Sequence, residues 1–120
     1  MKILYVEDNP DAVSSIRRIT SHFNYDLLVA DTVEKGLTLL SERPNLVLAD
    51  MLLPDGDAIK FVSQARPQWA TLPIIIVTGY APDGEREACF AAGCTDYFIK
   101  PVDVTVLIAL FKRYSSEIVE

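Results

Sequence analysis

Residues 3–10 read ILYVEDNP. Four apolar residues suited to a buried strand run straight into two adjacent acids, Glu7 and Asp8. Pro10 then lacks the amide needed to extend a ladder. Four more runs share this character: DLLVA at 26–30, NLVLA at 45–49, PIIIV at 73–77 and DYFI at 96–99, alongside KILYV at 2–6. Their apolarity is continuous rather than alternating, which indicates burial on both faces and hence a parallel sheet covered by helices.

The intervening segments carry helical spacing. Ala12, Ile16 and Ile19 form one stripe, and Val33, Leu37 and Leu40 a second. Ile59, Phe61 and Val62 serve the third segment, Ala88, Ala91 and Ala92 the fourth, and Val104, Leu107, Ile108 and Phe111 the last. Thr32 suits an N-cap, Pro44 ends a helix, Gly93 suits a C′ position and Asp103 caps the final helix. The expectation is one domain over 1–120: a doubly wound (βα)5 fold, flavodoxin-like, with strand order 2-1-3-4-5.

Composition narrows the function classes. The net charge of −6, from 11 Lys and Arg against 17 Asp and Glu, argues against nucleic-acid or anionic-membrane binding by this domain. No apolar run is long enough to span a bilayer, and the N-terminus has no signal-peptide pattern. Two cysteines, Cys89 and Cys94, fit a reduced, cytoplasmic protein. They make a poor zinc pattern without a His partner. His22 reads as a helix-end surface residue, Pro67 and Trp69 as loop, and KRY at 112–114 as the polar face of the last helix.

In open α/β sheets ligands bind beyond the carboxyl ends of the strands. Those ends carry Glu7 and Asp8, then Asp50, then Thr78 and Gly79, then Lys100 and Pro101; Asp31 ends the edge strand. Three acids against one ammonium leave two negative charges in a small pocket. Two like charges about 4 Å apart cost roughly 4 kcal/mol at an effective dielectric near 20. Either one acid keeps a proton or a divalent cation sits among them. An all-oxygen set favours Mg²⁺ over Zn²⁺. Taken singly, each residue has an ordinary reading too: a solvated acidic turn, a strand-end threonine, a surface lysine, a core tyrosine. Asp55 and Asp57 read as turn and capping acids, and Pro101 raises the expectation of a cis bond after Lys100.

Together, VEDNP, VLADMLLPDGD, IIIVTGY and AAGCTDYFIKPVD resemble the receiver domains of two-component response regulators, over the whole chain. The resemblance implies that Asp50 accepts a phosphoryl group from a histidine kinase or phosphotransfer protein. It implies that Glu7, Asp8, Asp50 and the backbone carbonyl of Leu52 hold Mg²⁺, with Asp8 favoured for direct contact. Lys100 would pair with the phosphoryl oxygens. Thr78 would turn its hydroxyl toward them, and Tyr97 would follow from an exposed to a buried rotamer. Such a domain is a signalling switch in a phosphorelay, not an enzyme in the ordinary sense, though it would catalyse its own Mg²⁺-dependent phosphorylation and dephosphorylation.

Leu52 and Tyr80 flank the phosphoryl site at positions that vary in the family. Being bulky or apolar, they orient an attacking water poorly, so a long-lived phosphoryl group is expected. Gly79 would give phosphate access to backbone N–H groups. The face formed by the fourth and fifth helices and the fifth strand, around Tyr97, is the expected contact for an output partner or a second copy. Three other functions compete. A receiver-like interaction domain would lack an acid or the lysine, and none is missing. A Mg²⁺ phosphohydrolase would want a carboxylate where Leu52 stands, and a flavin carrier would not place Glu7 and Asp8 beside a phosphate. The tail SSEIVE, 115–120, is consistent with either a terminus or the start of a linker.

Overall fold

A computed structural model describes residues 1–118. The five expected strands are β1 (Lys2–Val6), β2 (Asp26–Ala30), β3 (Leu46–Asp50), β4 (Ile74–Thr78) and β5 (Asp96–Ile99). They form one parallel sheet in the order β2-β1-β3-β4-β5. The helices are α1 (Pro10–His22), α2 (Val33–Leu39), α3 (Ala58–Ala65), α4 (Glu85–Ala92) and α5 (Val104–Ser116). A short 3₁₀ turn, Leu40–Glu42, precedes Arg43 and Pro44, and a two-residue hairpin pairs Leu52–Leu53 with Gly56–Asp57.

The continuous apolar runs have a simple cause. Side chains alternate across a strand, and here both faces are covered. Leu4, Val6, Val47, Ala49, Ile74 and Ile76 face one core with Phe61 and Val62 of α3. Ile3, Tyr5, Leu46, Leu48 and Ile75 face the other with Ile16 of α1 and Phe111 of α5. Each fully buried Leu, Ile, Val or Phe contributes about 1.5–3 kcal/mol of burial free energy.

Helix starts follow side-chain capping. Asn9 accepts from the amides of Asp11 and Ala12, with Pro10 at the first helical position where its missing N–H costs nothing. Thr32, Asp57 and Asp103 cap α2, α3 and α5 by accepting from Lys35, Lys60 and Thr105. Asp55, in the loop after β3, also accepts from the Val33 and Glu34 amides and so caps α2 from a distance in sequence. Gly93 ends α4 at φ 112°. A Cβ there would meet the Arg66 Cγ at 2.9 Å, because the Arg66 side chain crosses this point to carry its guanidinium to the carbonyls of Gly93, Trp69 and Leu72.

Several expectations need correction. Strands β3 and β4 run one residue later than their apolar runs, so Asp50 and Thr78 are the last strand residues. Backbone ladders are indifferent to side-chain polarity, and Met51 N–H still reaches the Val77 carbonyl while Lys100 N–H reaches that of Thr78. In α4, Ala88 and Ala91 are exposed and Cys89 is the buried residue. Alanines carry little apolar area, so contacts with neighbouring elements set the helix rotation, and even Phe90 is left exposed. Val104, in the first turn of α5, is exposed, whereas Leu110 and Tyr114 are buried; Tyr114 therefore leaves the polar face to Lys112 and Arg113. His22 is exposed at the end of α1 as expected. Cys89 and Cys94 are both buried, and burial pushes the Cys89 thiol up to about 12, which keeps it a protonated packing residue near neutral pH. Among the described residues no helix is long and apolar enough to cross a membrane. Val119 and Glu120 of the SSEIVE tail lie outside the described residues.

Candidate functional site

Parallel pairing brings the carboxyl ends of β1, β3, β4 and β5 to one edge, because each strand must return through a helix on the sheet face. Glu7 continues β1, its N–H donating to the Ala30 carbonyl at 2.8 Å, which holds its side chain inside the sheet end. Asp8 follows, exposed, before the Asn9 cap turns the chain into α1. Asp50 closes β3, Thr78 closes β4, and Lys100 stands just past β5, before a cis Lys100–Pro101 bond. One carboxylate oxygen each of Glu7, Asp8 and Asp50 lies within 4.8 Å of the others.

Lys100 Nζ stands between two of these acids, 2.7 Å from Asp50 Oδ1 and 3.0 Å from Glu7 Oε1. Glu7 is 1% exposed. Its Oε2 accepts from the Asp8 amide at 3.1 Å, and its Oε1 receives the Tyr5 hydroxyl at 3.5 Å. Burial holds the Glu7 carboxyl above the usual range, opposed by Lys100 and reinforced by Asp50. Burial alone would lower Lys100, but the hydrogen bonds to Asp50 and Glu7 overcome it and hold the ammonium above its usual value. Tyr5 is pushed up by burial, then by the nearby Glu7 and Asp50 charges. Its participation was not anticipated from the sequence, where it reads as one more apolar strand residue.

Three carboxylates against one ammonium leave an excess of two negative charges, and every donor is oxygen. The set fits a hard divalent cation bound through few protein oxygens, with further positions for water or phosphate. A cavity of about 450 Å³ opens beside Asp50 and is lined by Leu52, Thr78, Gly79, Tyr80, Glu85 and Lys100 among others. Leu52 and Tyr80 stand at its rim, 74% and 77% exposed. A Cβ on Gly79 would meet nothing within 4 Å, so no packing demand explains this glycine and its backbone stays open to the cavity. Thr78 is buried, and its hydroxyl donates to the Tyr80 carbonyl at 2.7 Å. Tyr97 is buried at 6% exposure and its hydroxyl donates to Glu85 Oε1 at 2.7 Å. Tyr97 is thus buried while the Thr78 hydroxyl is still on the Tyr80 carbonyl, so the two side chains do not stand in the coupled arrangement that the resemblance implies. Asp31, by contrast, is turned away to pair with Lys35 at 3.0 Å on the sheet edge.

Comparisons with known proteins point to one family. The family model described as response regulator receiver domain matches residues 3–112. An uncharacterized 14.6 kDa protein of Leptolyngbya boryana is 35% identical over 117 residues, covering 95% of this chain and 89% of the relative. The KDP operon transcriptional regulatory protein KdpE of Escherichia coli is 32% identical over 108 residues, 89% of this chain; the chain spans about half of that regulator, 48%. A solved CheY-like receiver domain protein from Methanospirillum hungatei superposes with TM-score 0.89 at 29% identity, covering 97% of this chain and 94% of that one. The receiver domain of the sensor histidine kinase PA1611 from Pseudomonas aeruginosa, solved with a magnesium ion in its active-site cleft, superposes with TM-score 0.85 at 29% identity, covering 96% and 97%.

Proposed function

Because the chain belongs to the response regulator receiver domain family of two-component systems, we propose that Asp50 is its phosphoacceptor. The observation that carries this reading is the Lys100 ammonium held between Asp50 and buried Glu7, with Asp8 completing a three-carboxylate cluster. The donor would be a phosphohistidine on a sensor kinase or phosphotransfer protein. An Asp50 carboxylate oxygen attacks phosphorus, the P–N bond breaks, and its electron pair leaves on the imidazole, which retains or takes up a proton. Phosphoryl transfer asks the protein mainly for positioning and charge neutralisation.

Each side chain has a part in that task. Lys100 pairs with the phosphoryl oxygens. The Thr78 hydroxyl exchanges the Tyr80 carbonyl for the new, stronger acceptor, and Gly79 leaves its amide accessible. Mg²⁺, held by Glu7, Asp8, Asp50 and the Leu52 carbonyl, would supply the missing positive charge. An acyl phosphate carries about −2, so the site without metal would hold about three uncompensated negative charges. The magnesium in the PA1611 receiver supports this assignment by likeness.

The output is a change of surface and not a product. Apolar side chains are exposed on each of α4, β5 and α5: Phe90, Ile99 and Val106. This face is the contact we assign to an output domain, a partner or a second copy. The likeness to part of KdpE supports an output domain in a longer chain, and the likeness to nearly the whole of the 14.6 kDa relative supports a stand-alone receiver acting on a separate partner. The setting would be cytoplasmic.

Incubation with a small phosphodonor, with and without Mg²⁺, tests the reading in the native protein and in Asp50→Asn. A phosphoryl mass gain is expected only with Mg²⁺ and only in the native chain. A gain that survives in Asp50→Asn moves the acceptor elsewhere. A gain in neither favours a receiver-like interaction domain that takes no phosphate.

A further inference from the structure

Glu85 is the first residue of α4, and the Tyr97 hydroxyl donates to its Oε1 at 2.7 Å. The same side chain lines the cavity of about 450 Å³ that holds Asp50, Thr78 and Lys100. It is the second acid on that wall, after Asp50. One residue is therefore common to the lining of the phosphoacceptor cavity and to the contact with the buried tyrosine of β5.

The Tyr97 phenol is a fixed donor in this contact. Burial first, and then the bond to Glu85, hold its pKa well above the ordinary value, so it keeps its proton. The loop over residues 79–84 is thus pinned at both ends. At one end the Thr78 hydroxyl holds the Tyr80 carbonyl at 2.7 Å, and at the other Glu85 holds Tyr97. Gly84 offers no side-chain cap, and Glu85 is one of two acids, with Glu87, in the first turn at the amino end of the α4 dipole.

We propose that Glu85 is a positioning residue of the switch, seating Tyr97 through its hydroxyl and yielding to negative charge added at Asp50. The inference rests on the phosphoacceptor reading above. A phosphoryl group on Asp50 adds negative charge to a cavity that Glu85 also lines, and like charges in a partly desolvated space repel. Displacing that carboxylate moves the first turn of α4 and removes the acceptor of Tyr97 in the same step. Charge at Asp50 then reaches α4 and β5 through one side chain, alongside the Thr78 hydroxyl.

The test is NMR of the whole chain, read at backbone amides and the Tyr97 ring, with and without beryllium trifluoride and Mg²⁺. Native protein, Glu85→Gln and Glu85→Ala are compared. In native protein the mimic shifts Met51 and Lys100, which report its binding, and also Tyr97 and the first turn of α4. In Glu85→Ala the Tyr97 ring resonances move before the mimic is added, and the further change there is lost while Met51 and Lys100 still respond. Glu85→Gln keeps an acceptor without the charge, so Tyr97 starts near its native resonances and its response to the mimic shrinks. Tyr97 behaviour unaltered in both variants, with Met51 and Lys100 responding, overturns the inference alone. No response at Met51 and Lys100 in native protein overturns the phosphoacceptor reading and takes the inference with it.

Discussion

The ammonium of Lys100 lies 2.7 Å from Oδ1 of Asp50. The same ammonium is 3.0 Å from Glu7 Oε1, so one cation stands between two carboxylates, one of them buried. Removing the cation and removing a carboxylate must therefore have opposite consequences for stability.

Lys100→Met leaves Glu7 buried without its partner and should destabilise the metal-free protein by about 1–3 kcal/mol. Asp50→Asn removes one of three crowded negative charges and should be neutral or stabilising. Urea unfolding with the metal chelated measures both. A stable Lys100→Met protein beside a destabilised Asp50→Asn would refute the electrostatic account of the site.

Mg²⁺ should raise the melting temperature, since it binds the folded cluster and not the unfolded chain. At a concentration of about 100 Kd the gain is about 2.7 kcal/mol. Asp8 is exposed with an open carboxylate, whereas Glu7 is already engaged by Lys100, the Asp8 amide and Tyr5. Asp8→Asn should therefore remove most of the Mg²⁺-dependent shift. Glu7→Gln should retain more of it, and calorimetric titration of both variants checks the order.

Leu52 and Tyr80 leave the rim of the Asp50 cavity without a side chain suited to orient water, so the phosphoryl group should be long-lived. Leu52→Asn introduces an amide that can hold a water and should speed loss of phosphate about tenfold, the equivalent of about 1.4 kcal/mol in the barrier. Decay of phosphorylated protein, followed by mass after removal of the donor, measures it. Rapid loss in the native chain, unchanged by the substitution, would count against the prediction.

Asp55 accepts the Val33 and Glu34 amides, and the Val33 bond foremost holds its carboxyl below the ordinary 3.8. With the folded pKa depressed, the stabilisation is present above the unfolded value and fades as pH falls through the folded one. Protection of the Val33 and Glu34 amides against hydrogen exchange should fall on acidification in native protein. In Asp55→Ala it should be low throughout and independent of pH in that range.

The Asp55 contact illustrates what a linear reading misses. Its nearest targets in sequence are turn amides, yet it caps a helix that begins 22 residues earlier. The same applies to Glu85, whose contact with Tyr97 lies 12 residues away in sequence. Tyr5 looks like apolar strand until its hydroxyl is found on Glu7. In each case a polar atom meets a partner chosen by packing, and sequence spacing holds no record of it. The rotation of α4 escapes a linear reading for a related reason: stripes of small residues are nearly degenerate in apolar area, so contacts with neighbouring elements decide which face is buried.

Other features were legible because local rules are enough. The runs at 2–6, 26–30, 45–49, 73–77 and 96–99 read as buried strands, and the helical segments between them fit a parallel, doubly wound sheet. That architecture brings strand ends to one rim, so Glu7, Asp8, Asp50, Thr78 and Lys100 were expected together from their positions alone. Their hydrogen bonds were not. Tertiary structure decided that Glu7 is buried under Lys100 while Asp8 faces solvent, and that Thr78 holds the Tyr80 carbonyl while Tyr97 is seated on Glu85. The period of a strand selects a face, whereas burial and the competition of several donors for one acceptor exist only after the strands have paired.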